Sequence, residues 1–236
     1  LLIMKSKSSA LKPNAICCWS KTCLSNLLLI SQPDIGQSIL ILFTWLTLIF
    51  ISGINLIIFF GIFAFFISLI SYLVFFVNKF NYIKIRIVSF FDGSPKNNFQ
   101  SEKASEAIID GGFFGKGIGE GTLNSKIPEA HTDYIVSVIS EEFGIIVIFL
   151  IMLSFIFFAY NVFKKVKETN ENIFKMILVG SISLLMLQAF VHVGVNLRVL
   201  PTTGMTLPFL SYGGSSIISI SIISGIILNL TKRRVF

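Results

Sequence analysis

Residues 111–142 read GGFFGKGIGEGTLNSKIPEAHTDYIVSVISEE, a polar, glycine-dense stretch set between long apolar segments, and its reading decides the fold. Glycines at 111, 112, 115, 117, 119 and 121 leave no apolar stripe of helical or strand period, so its first part reads as a loop at a membrane surface. The stretch closes on Ala130-His131-Thr132-Asp133. It then turns apolar, carries Glu141-Glu142, and continues without a charge from Phe143 to Phe163. Titratable groups thus gather where water gives way to lipid, and chemistry is expected there.

The rest of the composition agrees with a membrane setting. In 236 residues, 54% are hydrophobic and 13% charged, with a mean hydropathy of +0.83, too apolar for a soluble domain of this size. A hydrocarbon core of about 30 Å needs roughly 20 apolar residues per helix, and several uncharged runs approach that length. The in/out alternation of short barrel strands is absent. The fold class expected is all-α, a polytopic transmembrane helical bundle. The net charge of +7 is scattered over loops rather than interleaved with aromatics, so no nucleic-acid partner is expected. Cys17, Cys18 and Cys23 have no nearby His and no second pair to complete a metal site. No motif requires a cofactor, and a divalent cation stays open. The chain starts at Leu1, and the Lys/Ser-rich stretch after Met4 is unlike a secretory signal; the sequence reads as a fragment.

Taken in order, residues 1–26 form a basic segment without a clear period. In Gln32-Pro33-Asp34, Pro33 biases its neighbour away from helix and Asp34 can cap the next turn, which marks a helix start. Five spans are expected, at about 38–54, 56–77, 134–163, 174–197 and 215–230. The first two form a tight antiparallel hairpin across Ser52-Gly53-Ile54-Asn55. Residues 78–133 form a long loop whose seven basic and seven acidic residues balance. Lys164, Lys165 and Lys167 after the third span, and Lys232, Arg233 and Arg234 after the fifth, mark cytoplasmic ends. The C-terminus is therefore cytoplasmic, and the long loop and the turn 200–214 lie outside. Lys79, Lys84 and Arg86 depart from this bias.

Each constellation has a plain and a functional reading. Asp133 stands just before an apolar run, as an N-cap would; partial burial at a membrane surface would also suit a general base. Glu141 and Glu142, about two helical turns further on, read either as a buried pair with a base such as Arg198 or Lys116, or as part of a wet cavity. Gln188, His192 and Asn196 share one helical face, and such a stripe either joins helices or lines a cavity. The glycine loop resembles a phosphate cradle only loosely, and flexibility is the plainer reading. In Ser211-Tyr212-Gly213-Gly214-Ser215-Ser216, small residues at a helix start can point N–H groups at an anion. Lys84, Arg86, Lys116 and Arg198 can supply charge for an anionic, lipid-attached substrate.

Three motifs, GGFFGKGIGEGT, IPEAHTDYIVSVISEEFG and GVNLRVLPTTGMTLPFLSYGGSS, resemble the SEDS family (shape, elongation, division and sporulation), and QPDIG and RIVSFFD fit it as well. The resemblance covers about Leu27 to Arg234, so 27–236 is identified as a C-terminal membrane domain of SEDS type, and the GEGT loop and MTLPFLSYGGSS ending resemble its FtsW branch. It implies a peptidoglycan glycosyltransferase of the bacterial inner membrane, acting at the division site. The substrate would be lipid II, an undecaprenyl pyrophosphate-linked precursor. The partners would be a class B penicillin-binding protein and other divisome membrane proteins. It also implies that Asp133, in the HTD motif with His131 and Thr132, is the catalytic carboxylate that deprotonates the acceptor hydroxyl as its base. The outside cations Lys84, Arg86, Lys116 and Arg198 then become candidates for holding pyrophosphate. Further substrate-binding candidates are Glu141, Glu142, Gln188, Asn196, Ser211, Gly213, Gly214 and Ser215. The family has ten spans against five here, so the chain is expected to be truncated at its N-terminal side, which leaves its activity alone open. A lipid II translocase and a non-catalytic division scaffold stand as alternatives; a transporter would place broken helices at the midplane, whereas the irregular segments here fall at the outer surface.

Overall fold

The computed structural model describes residues 35–77, 80–92, 95–122 and 129–232. The segment 1–26, the Pro33-Asp34 helix start, Lys79, Lys126 and the Arg233-Arg234 end lie outside the described residues. The secondary-structure elements among the described residues are all helices: α1 (Ile35–Ile51), α2 (Leu56–Phe76), α3 (Asn81–Asp92), α4 (Pro95–Gly111), α5 (Ile135–Phe143), α6 (Ile145–Glu168), α7 (Asn172–Asn196) and α8 (Gly214–Thr231).

The hairpin α1–α2 forms as its sequence predicts. Gly53 takes φ 77° to reverse the chain, a conformation a side chain would resist. Asn55 then caps α2, its Oδ1 accepting from Ile57 N at 3.1 Å. Trp45, Leu46 and Ile49 of α1 pack on Phe59, Ile62, Phe63 and Phe66 of α2.

At the centre stands α7, around which α1, α4, α5, α6 and α8 pack. Its Leu178, Ile182 and Leu185 meet Ala159 and Val162 of α6 and Ile220 and Ile227 of α8. On another side, Gly180 lets Leu48 of α1 approach so closely that a Cβ there would sit 3.2 Å from Leu48 Cδ2. Among the described residues, α2, α6, α7 and α8 are long and apolar enough to cross a membrane, and α1 is apolar but shorter.

Two expectations need correction. The third span is not one helix over 134–163. It breaks at Gly144, with φ 85°, into a short surface helix, α5, and the spanning helix α6, so Glu141 and Glu142 lie before the crossing rather than within it. The break requires glycine, because its positive φ disfavours a side chain and a Cβ at Gly144 would collide with the Phe113 carbonyl oxygen. The second correction concerns the loop 78–133, which contains α3 and α4. Its balanced charges conceal a small-residue face, Ser101, Ala104, Ala107 and Gly111, at helical spacing. Ala104 and Ala107 are wholly buried, in a cluster with Ala130, Tyr134, Val138 and Val195.

Candidate active site at the membrane boundary

The glycine loop is clipped, not loose. Lys116 N donates to Glu141 O (2.9 Å), Gly117 N to Glu142 O (3.1 Å) and Ile145 N to Gly112 O (3.0 Å). The acidic side chains complete the clip: Glu141 Oε1 accepts from Thr122 N at 2.8 Å and Glu142 Oε1 from Gly119 N at 3.3 Å. Glu141 is fully buried, a place for a carboxylate only when hydrogen bonds replace its water. The bases expected as partners of this acidic pair lie elsewhere, Lys116 on Asp110 and Arg198 on Glu102 (3.5 Å).

Asp133 ends a turn that closes on Glu129, whose carbonyl accepts from Thr132 N (3.0 Å), Asp133 N (3.1 Å) and Thr132 Oγ1 (3.0 Å). The capping reading is corrected here: α5 starts one residue later, its N-cap is Tyr134, and no side chain bonds to that cap. Among the described residues the Asp133 carboxylate makes no hydrogen bond. It faces Gly204, where a Cβ would lie 3.5 Å from Oδ2. Burial, and then the charge of Glu129, raise its pKa above the ordinary carboxylate range, so the group holds a proton more firmly than a free aspartate. Next to it, Tyr134 is buried, and its hydroxyl is pushed up to about 12 by burial and by Asp133, against the opposing charge of Arg86.

The turn 200–214 is fixed to α7 by the polar stripe read from the sequence. Gln188 Nε2 donates to Thr206 O (2.9 Å), His192 Nδ1 to Met205 O (2.6 Å), and Asn196 Nδ2 to Asp133 O (3.2 Å) and His192 O (2.9 Å). A carbonyl only accepts, so Nδ1 of His192 carries the proton. The stripe holds backbone on both walls of the Asp133 site, the turn bearing Gly204 and the backbone of Asp133 itself, while His192 Nε2 and Asn196 Oδ1 are buried without a partner among the described residues. Tyr212 N donates to His131 O (3.0 Å) and joins the two walls directly.

Of the four cations expected to bind an anion, Arg86 on α3 is the one whose charge reaches this corner, and its Nη1 donates to Thr202 O at 3.4 Å. Lys84 lies over the Phe75 ring, 5.9 Å from its centroid, and Lys116 and Arg198 are ion-paired with Asp110 and Glu102. Thr132 is half-buried in the turn and His131 is exposed beside it. Ser211 is buried, its Oγ accepting from Leu207 N at 2.8 Å, so it shapes the turn. Gly213 caps α8 and Gly214 opens it, with Ser215 exposed on its first turn. Sequence reasoning missed Tyr134, Gly204 and Thr202. The only sign of them was their position inside motifs already singled out. Among the described residues no three His, Cys, Asp or Glu side chains gather as a metal site. An apolar groove of about 400 Å³ lies between α6 and α8, walled by Ile151, Phe155, Phe158 and Leu228, with Pro208 to Leu210 of the turn along it.

Comparison with known proteins shows the family and the fold. The profile of a family described as cell cycle protein, FtsW/RodA/SpoVE, matches residues 3–235. A probable peptidoglycan glycosyltransferase FtsW of Caulobacter vibrioides is 33% identical over 207 residues, covering 88% of this chain and 52% of that protein. One of the same description from Buchnera aphidicola subsp. Schizaphis graminum is 36% identical over 202 residues, covering 83% of this chain and 56% of that one. The chain thus spans about half the length of these relatives. A solved structure on polymerization and crosslinking by a peptidoglycan synthase complex superimposes with a TM-score of 0.69 at 26% identity, over 97% of this chain and 62% of that one.

Proposed function

The chain belongs to the FtsW/RodA/SpoVE family of cell cycle proteins, and from that premise we propose that it is the C-terminal part of a membrane glycosyltransferase that polymerises lipid II into glycan strands for septal wall synthesis. Asp133 takes the proton of the acceptor sugar hydroxyl as that oxygen attacks the donor's anomeric carbon. The bond from that carbon to pyrophosphate breaks, and undecaprenyl pyrophosphate leaves. The observation that carries the reading is the Asp133 carboxylate itself, half-buried, raised in proton affinity and without a hydrogen bond among the described residues, on a backbone tied to α7. A base needs a raised pKa to accept a proton near neutrality and a free lone pair to receive it. Arg86 is the cation for the leaving phosphates, since its exposed guanidinium reaches this corner and can meet the charge developing there with charge-assisted hydrogen bonds. The groove between α6 and α8 suits an apolar tail. Because Gln188, His192 and Asn196 bond to the backbone of the turn and of Asp133, they position the site, and this use of the stripe supports the enzyme over the carrier. The site lies at the opposite end of α6 from Lys164 and Lys165 and so faces outward, with a class B penicillin-binding protein as the transpeptidase partner in the inner membrane at the division site.

The test is glycan synthesis from lipid II by this chain and by a form extended to its relatives' length, each with the class B partner and each compared with its Asp133→Asn variant. The extended variant is expected to lose polymerisation while its thermal stability rises at neutral pH. The sign comes from the raised pKa: stability drawn from the protonated carboxyl is present at low pH and lost as pH rises through the folded-state pKa, and Asn removes that loss. Equal product from parent and variant would remove Asp133 as the base and return the translocase and scaffold readings to the front. Lower stability in the variant would restore a structural role for the carboxylate.

A further inference from the structure

The tip of the glycine loop bears apolar side chains that neither the core nor the proposed chemistry uses. Phe113, Phe114 and Ile118 are 71%, 85% and 79% exposed, and Ile109 in the last turn of α4 is 78% exposed. Three large apolar side chains on one polar loop, with a fourth on the adjoining helix, expose apolar area that water disfavours. Their level relative to the bilayer is set by the clip between the loop and α5. Gly112 O accepts from Ile145 N, Gly144 packs on the Phe113 carbonyl, and Gly117 N reaches Glu142 O. The tip is therefore level with the first residue of α6. From Ile145 to Phe163 that helix has 19 uncharged residues, about 28 Å at the α-helical rise, which matches a hydrocarbon core of about 30 Å. Lys164 and Lys165 mark its far boundary, so the near boundary falls at Ile145 and hence at Phe113.

We propose that Phe113, Phe114 and Ile118, with Ile109, form an interfacial anchor that seats the glycine loop in the boundary between headgroups and acyl chains of the lipid bilayer. Phe and other large apolar side chains of interfacial segments bury at this depth. Of the charged side chains of the loop, Lys116 is paired with Asp110 and Glu120 is exposed, able to reach headgroup water. The loop is then held on one side by α5 and on the other by lipid, and it forms a fixed floor beside the site. This inference rests on the membrane reading of α6 and is independent of any catalytic role.

The test places a single tryptophan at the tip, Phe114→Trp and separately Ile118→Trp, in the chain with Trp19 and Trp45 replaced by Phe, reconstituted into phosphatidylcholine–phosphatidylglycerol vesicles. The expected result for both probes is emission shifted to shorter wavelength, protection from acrylamide, and stronger quenching by lipids brominated near the headgroup end of the chain than by lipids brominated near its methyl end. Water-like emission with full access to acrylamide would overturn the anchor. So would protection that disappears when the protein is diluted among more vesicles, which would mark a second copy rather than lipid as the occupant.

Discussion

At the scale of single residues, the site depends on how little Asp133 is given. Its neighbours set its proton affinity without hydrogen-bonding its carboxylate, and the electrostatic part of that setting comes from Glu129. Glu129→Gln removes a negative charge, lowers the pKa of Asp133, and is expected to move the acid limb of the polymerisation rate to lower pH, since a base must be deprotonated to act. An unmoved limb in a pH–rate profile would show that burial alone controls the group. Asp133 was legible in the sequence because the HTD motif and the onset of an apolar run both pointed to it. The identity of its surroundings was not. Glu129 reaches Asp133 only through the turn that Thr132 closes, and Gly204 approaches from 71 residues away in the chain, a separation that no local pattern encodes.

Among elements, the glycine loop and α5 behave as one unit because their backbones touch where a Cβ would not fit. Gly111, Gly115 and Gly144 would each collide with a backbone atom of the facing segment, whereas Gly112 faces open space. Gly144→Ala is therefore expected to cost roughly 3 kcal/mol or more, from both its left-handed backbone and the collision. Gly112→Ala, with φ 57° and no collision, is expected to cost about 1 kcal/mol. Thermal unfolding of the two variants in detergent checks the ordering, and equal losses would mean that backbone conformation, not contact, decides. The sequence showed the glycines but not their purpose. Read alone, their density suggested flexibility, because close backbone approach leaves no trace in composition. The apolar spans, by contrast, were legible within a few residues at most ends, since lipid imposes length and hydropathy directly.

For the whole molecule, α7 is the element that α1, α4, α5, α6 and α8 all contact, while α2 buries only Val74. Hydrogen exchange in mild detergent is expected to be slowest along α7 and fastest along α2 among the spanning helices, and the reverse order would contradict the packing. This hierarchy was partly visible beforehand: the stripe Gln188, His192, Asn196 marked α7 as a helix with polar business inside the bilayer, though its partners turned out to be carbonyls on distant loops. Finally, the break at Gly144 has a mechanical consequence. The spanning helix α6 meets the surface helix α5 at a joint whose backbone is interlocked with Gly112 and Phe113, so the joint transmits tilt instead of absorbing it. A neighbouring helix that leans on α6 within the lipid would therefore load the clip between α5 and the glycine loop, while the head of α5 stays moored to α7 through Asn196.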